Sequence, residues 1–201
     1  MLNIVLFGGP GAGKGTQALL LTEKFGLRHL STGDMLRKEI ASGSELGKIA
    51  NGLISNGELA PDELVIDMIR EHIEQNSEAK GFIFDGFPRT QAQAQALDKL
   101  LNEKNVQITA MIALDVSVDE LTTRLLKRGE VSGRTDDRSI DIIHNRIEVY
   151  HRKTEPVIDY YRAQKKYYPV DGLGSIEEIF SRLKHVILTL KPHAFQHPIQ
   201  N

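Results

Sequence analysis

The segment Gly8-Gly9-Pro10-Gly11-Ala12-Gly13-Lys14-Gly15-Thr16 constrains the chain more than any other. It follows the apolar run Asn3 to Phe7 and precedes a stretch of helical periodicity from Gln17 to Phe25, so it joins a strand to a helix. Glycines let such a loop curl until successive backbone N–H groups face one anion, and the helix that follows adds the positive end of its dipole. Lys14 supplies a full charge that reaches the outer phosphates of a nucleotide. The strict pattern has Ser or Thr directly after the lysine, whereas here Gly15 intervenes and Thr16 comes one place later. A plain glycine turn between strand and helix is the other reading, and it leaves Lys14 without a purpose.

Further short apolar runs alternate with helical stretches, which predicts a parallel sheet wrapped by helices. The strands are Asn3 to Phe7, Phe82 to Phe84, Thr109 to Leu114 and, more weakly marked, Arg28 to Leu30 and Tyr167 to Val170. They are continuous apolar runs because strands of such a sheet are covered on both faces. Ser117-x-x-Glu120 and Ser175-x-x-Glu178 have capping-box spacing, and Pro61-Asp62-Glu63 opens another helix. In the last helix Ile176, Ile179, Phe180, Leu183, Val186, Ile187 and Leu190 return to one face, as docking on a sheet requires. Between Ser31 and Ala60 two helical patterns divided by Gly43 and ended by Asn56-Gly57 carry no strand, which marks an inserted helical unit. The polar stretch Gly129 to Asp137 is predicted to be a mobile loop between helices, and the tail from Pro192 to lack regular periodicity.

Composition sets outer limits. With 201 residues, 40% hydrophobic and 26% charged, the chain suits a soluble core domain with excursions. The absence of cysteine removes disulfides and thiolate zinc sites and fits a reducing compartment. The N-terminus lacks the pattern of a signal peptide, and its apolar run is too short to cross a bilayer. A formal net charge of −2 argues against a nucleic-acid-binding role, so any anion site is local.

GGPGAGKGT, then STGDMLR, then FDGFPRT with Gln93 following, then LLKRGEVSGRTDD, resemble adenylate kinase, in order and over nearly the whole chain. The resemblance implies a P-loop three-layer α/β/α fold with a five-stranded parallel sheet. It divides the chain into a core of residues 1–30, 61–127 and 138–191, a mononucleotide-binding insertion 31–60, a short lid 128–137 and a tail 192–201. It also implies transfer of the terminal phosphoryl group of ATP to AMP, with Mg2+ as cofactor and ADP as product.

On that basis the ATP side comprises Gly11, Ala12, Gly13, Lys14, Gly15, Thr16, Arg124, Arg128 and Gly174, with Arg124 packed on adenine. The AMP side comprises Thr32, Arg37, Glu58, Leu59, Ala60, Gly86, Phe87, Pro88, Arg89, Gln93, Arg134 and Arg146. Lys14, Arg89, Arg128, Arg134 and Arg146 are the catalytic set, and Asp85 organises Mg2+ through water. Family likeness further implies a cis peptide between Phe87 and Pro88. Read from spacing alone, the same residues have plainer roles: Thr32 and the pair Thr90-x-x-Gln93 as helix caps, Arg37 and the lid arginines as solvated surface charge. Guanidinium groups suit the chemistry, since phosphoryl transfer is governed by positioning and by charge stabilisation.

A uridylate/cytidylate kinase shares the loop and the short lid, but Thr32 and Gln93 favour adenine over a pyrimidine. A nucleotide-gated switch is a further alternative, against which stands the lack of any Asn-Lys-x-Asp tetrapeptide. The expected protein is a cytoplasmic monomer with no nucleic-acid or membrane partner.

Overall fold

The computed structural model describes residues 1–132, 134–137 and 139–194. Five parallel strands form one sheet in the order β2-β3-β1-β4-β5: β1 is Ile4–Phe7, β2 Arg28–Ser31, β3 Phe82–Asp85, β4 Ala110–Asp115 and β5 Tyr167–Asp171. The predicted strands are all present, with ends displaced by a residue at most. In β1, Val5 and Phe7 face one core cluster while Ile4 and Leu6 face the other, which is why the central strand is apolar without alternation. The outer strands differ: β2 and β5 are partly exposed, and in β5 only Val170 is buried.

Two helical layers cover the sheet. On one face lie α4 (Asp62–Gln75), α5 (Gln91–Asn102) and α8 (Val157–Ala163), packed through Ile69, Ile73, Leu97, Leu101, Val157 and Tyr161. On the other lie α1 (Lys14–Phe25), α6 (Val118–Ser132), α7 (Ile140–Val149) and α9 (Ile176–Ala194), packed through Leu21, Leu125, Ile147, Leu183 and Ile187. Between β2 and α4, α2 (Thr32–Ser42) and α3 (Glu45–Ile54) pack on each other as the helical unit expected there.

Four readings need correction. Helix α6 runs to Ser132, so half of the stretch expected to be a loop is helical. Gly129 is buried inside this helix because a Cβ there would lie 2.4 Å from the backbone oxygen of Asp137, so the glycine permits close packing and does not open a loop. Ser117-x-x-Glu120 forms only half of its capping box, since Glu120 turns to Arg124 at 2.7 Å, whereas both bonds form between Ser175 and Glu178. Ile176 is 50% exposed because it stands at the open first turn, and α9 continues through Pro192 to Ala194. Proline removes a donor from only the final turn, on which little of the helical ladder depends. Gly133 and the tail residues 195–201 lie outside the described residues.

Because all strands are parallel, the loops after them share one edge of the sheet. The glycine loop follows β1, Thr32 follows β2, and Gly86 to Arg89 follow β3. Open α/β sheets bind their ligands at this edge.

Candidate functional site

One cavity of about 500 Å³ opens at that edge. Its floor is the loop between β1 and α1. Lys14 Nζ donates to the carbonyls of Gly8 and Gly9, both at 2.8 Å, which leaves one of its three donors for another partner. Enclosure lowers the Lys14 amine to about 8; Asp85 opposes the shift, and Arg89, Arg128 and Arg146 add to it. Burial is the main cause of the shift, and the neighbouring guanidiniums add to it.

Five arginines share the cavity with Lys14. Arg37 comes from α2, Arg89 from the turn before α5, Arg128 from α6, Arg134 from the segment between α6 and α7, and Arg146 from α7. Burial lowers Arg89, and the neighbouring Arg146 lowers it further; burial followed by Arg37 and Arg128 does the same to Arg134. Carboxylates hold the group in place. Asp137, itself fully buried, takes two hydrogen bonds from Arg128, at 2.5 and 2.9 Å, and one from Arg146. Arg146 also lies 2.9 Å from Asp136. Asp34 binds Arg37 at 2.5 Å and stands 3.8 Å from Arg134. Burial would raise the Asp137 carboxyl, but Arg128 and Arg146 hold it below the ordinary carboxylate range.

The turn after β3 is built around Gly86. At φ 76° it adopts a conformation that suits glycine, and a Cβ would come within 2.9 Å of both Arg89 Nη2 and Thr32 Oγ1. Its carbonyl accepts from Arg89 Nε at 2.7 Å and from the Thr32 hydroxyl at 2.8 Å. Thr32 is therefore not the helix cap; Ser31 is, accepting from the N–H of Asp34 at 3.3 Å. The Phe87-Pro88 peptide bond is cis, as the resemblance implied. Asp85 ends β3, 3.3 Å from His29 Nε2. Burial pushes its carboxyl up, yet the His29 hydrogen bond, Lys14 and Arg89 together keep it below the usual range. Gln93 is 2% exposed and lines the cavity; Thr90 Oγ1 caps its N–H at 3.2 Å, but the capping box is half formed, because the Gln93 side-chain carbonyl accepts from the N–H of Arg89 and not from that of Thr90.

Of the residues singled out from the sequence, Gly11, Gly13, Lys14, Gly15, Thr16, Thr32, Arg37, Glu58, Leu59, Ala60, Asp85, Gly86, Phe87, Pro88, Arg89, Gln93, Arg128, Arg134 and Arg146 line this one cavity. Three do not. Ala12 is buried in the core beneath the loop. Arg124 lies on α6, bound to Glu120 and, at 3.1 Å, to the carbonyl of Gly172. Gly174 stands in the same turn between β5 and α9, two residues after that carbonyl.

A family model described as Adenylate kinase matches residues 6–166. An adenylate kinase of Parabacteroides distasonis is 50% identical over 191 residues, which is 95% of this chain and 100% of the relative. Those of Phocaeicola vulgatus and Flavobacterium psychrophilum are 53% and 50% identical over 90% and 94% of this chain, covering 95% and 100% of the relatives. The chain belongs to the adenylate kinase family. It is accordingly a nucleoside monophosphate kinase, and adenylate kinase is favoured over the uridylate/cytidylate alternative.

The adenylate kinase motifs pointed to the cations and to Asp85 but not to the groups that orient them. His29, Asp34, Asp62, Asp136 and Asp137 were not singled out as site residues. Asp34, inside STGDMLR, and Asp136-Asp137, at the end of LLKRGEVSGRTDD, lie within the family motifs, whereas His29 and Asp62 fall outside them and carry no such signal.

Proposed function

We propose that the chain transfers the terminal phosphoryl group of MgATP to AMP, reversibly and giving two ADP, and so balances the adenine nucleotides as a cytoplasmic monomer. The observation that carries this reading is the convergence of Lys14 and five arginines on one cavity in a chain of net charge −2. So concentrated a positive field fits two polyanions placed end to end and a transition state whose charge spreads over the migrating group.

In this reading the loop from Gly11 to Thr16 holds the phosphates of ATP, with the free donor of Lys14 directed to them. Arg124 packs on the adenine of ATP beside Gly174, and Arg37 and Arg89 grip the AMP phosphate. A phosphate oxygen of AMP attacks the terminal phosphorus as the bond to the bridging oxygen breaks, and the electron pair leaves with ADP. The attacking phosphate is already ionised, so no general base is needed. Arg128, Arg134, Arg146 and Lys14 offset the developing charge. Thr32, Gln93 and the backbone of Glu58, Leu59 and Ala60 surround the acceptor base.

Among the described residues no group of three or more His, Asp or Glu side chains could hold a metal unaided. The ionised Asp85 suits Mg2+ all the same, because this ion keeps several waters and is commonly held by one or two carboxylates together with substrate phosphates. Asp85 would hold it with the ATP phosphates, and the ion would neutralise charge on them.

Residues 31–60 act as the mononucleotide-binding unit and 128–137 as the lid, both closing to exclude water, the competing acceptor. Three contacts already draw them inward: Asn145 Nδ2 to the carbonyl of Asn56 at 2.6 Å, Lys153 to Glu58 at 3.3 Å and Arg134 to Asp34 at 3.8 Å. Among the described residues no helix is long and apolar enough to cross a membrane.

An ADP-formation assay with AMP, UMP, CMP and GMP as acceptors tests the reading. AMP is expected to be strongly preferred, and Lys14→Met to abolish turnover while the fold survives. Equal use of UMP or CMP, or a near-normal rate in Lys14→Met, would overturn it.

A further inference from the structure

The amide of Gln93 is fixed by two partners, one of which lies behind the cavity wall. Gln93 Oε1 accepts from the backbone N–H of Arg89 at 2.7 Å, and Gln93 Nε2 donates to Asp62 Oδ1 at 2.8 Å. The second oxygen of Asp62 accepts from the hydroxyl of Thr90 at 2.9 Å. Asp62 is the first residue of α4 and does not line the cavity. The two ends of a glutamine amide have nearly the same shape, so hydrogen-bond partners alone decide which way it points. Here they leave no choice. A backbone N–H only donates and an ionised carboxylate only accepts, so the reverse orientation would set donor against donor and oxygen against oxygen. One N–H and one lone pair of the amide remain for a ligand.

We propose that Asp62 is a positioning residue that sets the specificity for the acceptor base, by locking the Gln93 amide in the orientation that matches adenine. Adenine presents a ring-nitrogen acceptor beside an amino donor. Hypoxanthine presents the mirror pattern, a ring N–H donor beside a carbonyl acceptor. With the acceptor phosphate held by arginines, a locked amide pairs with the first and opposes the second, whereas an amide free to rotate accommodates either. Discrimination thus comes from the pairing denied to the wrong base as much as from that offered to the right one. The inference rests on the reading of Gln93 as a contact of the acceptor base.

Steady-state kinetics with AMP and with inosine 5′-monophosphate as acceptors, at saturating MgATP, test it in Asp62→Ala, Asp62→Asn, Gln93→Ala and the double variant Asp62→Ala/Gln93→Ala. In Asp62→Ala the KM for AMP should rise roughly three- to tenfold, the range expected for one weakened hydrogen bond. The kcat and the KM for ATP should hold, and the preference for AMP over the inosine nucleotide should narrow. Asp62→Asn should keep the preference, since its carboxamide oxygen still accepts from Gln93 and its NH2 still faces the Thr90 hydroxyl. This isosteric variant keeps the test decisive even where alanine weakens the fold. In the Gln93→Ala background, Asp62→Ala should have no further effect on acceptor choice. A loss of kcat or of ATP affinity in step with AMP, a lost preference in folded Asp62→Asn, or an Asp62 effect that persists without Gln93 would overturn the proposal. If Gln93→Ala itself leaves AMP kinetics untouched, the reading of Gln93 fails; if it matters and Asp62→Ala does not, only the role of Asp62 fails.

Discussion

At the scale of single residues, two buried charges set opposite pH limits. The Lys14 amine, lowered to about 8 from 10.5, is protonated less readily in the fold than in the unfolded chain. Between those values the unfolded state binds more protons, so the cost of burying this ammonium is full below about 8 and is relieved as pH rises. Under the proposed function activity runs the other way, because there the charged form meets phosphate. The kcat/KM for ATP, which reports the free enzyme, should fall as pH rises past about 8, and the limb in kcat should lie higher because bound phosphates favour the ammonium. A flat kcat/KM profile from about pH 7 to about 9, roughly one unit either side of that value, would contradict the role given to Lys14. Asp137 is the converse. Its depressed carboxyl pKa contributes stability that is present above the unfolded value near 3.8 and is lost as pH falls through the folded one. Asp137→Ala leaves Arg128 and Arg146 facing each other without their shared counter-charge. It should cost about 1–3 kcal/mol, since both guanidiniums keep some solvent. Thermal unfolding at neutral pH, with a loss of roughly 5 °C for a chain of this size, checks it.

At the scale of elements, α6 carries the clearest prediction. An exposed helical glycine usually gains about 1 kcal/mol on replacement by alanine. Gly129→Ala should instead destabilise, because the added methyl would meet the backbone of Asp137 at 2.4 Å and press apart the helix and the turn that joins Arg128 to Asp137. Denaturant unfolding decides the sign, and a more stable variant would show that the contact yields. The same helix shows where the sequence stops being legible. Gly129-Glu130-Val131-Ser132-Gly133 has the composition of a loop, and nothing local reveals that a distant backbone needs the space of one glycine. Strand interiors were legible because burial on both faces makes them continuously apolar. The π-helical turn Tyr150–Thr154 was not, since it depends on how α7 meets the sheet, where Tyr150 packs on Phe7 with ring centres 6.0 Å apart. In the site, the glycine loop and the arginines stood out through motifs. The carboxylates that aim them, Asp34, Asp62 and Asp137, look like ordinary surface charge until the chain brings them 3, 31 and 9 residues across sequence to Arg37, Gln93 and Arg128.

For the whole molecule the governing feature is a mismatch between global and local charge. Acidic residues outnumber basic ones by 27 to 25, yet in the cavity six cationic side chains stand against four carboxylates, Asp34, Glu58, Asp85 and Asp136, and burial with the neighbouring guanidiniums lowers Lys14, Arg89 and Arg134. An anion that spans the cavity therefore relieves repulsion as well as making contacts, and it bridges α2 to α6, α7 and the glycine loop. A dinucleotide of two adenosines joined by five phosphates should raise the melting temperature far more than ATP at equal concentration. At a hundred times its dissociation constant the stabilisation is about 2.7 kcal/mol. That corresponds to roughly 5–10 °C here. Added salt should shrink the shift, because part of the attraction is screened. Lys14→Met should shrink it further. The comparison between the two ligands is what discriminates, since each alone reports only that anions bind. If ATP and the dinucleotide give the same shift, the two halves of the cavity do not face one another, and the arrangement of donor and acceptor along a single line of phosphates is wrong.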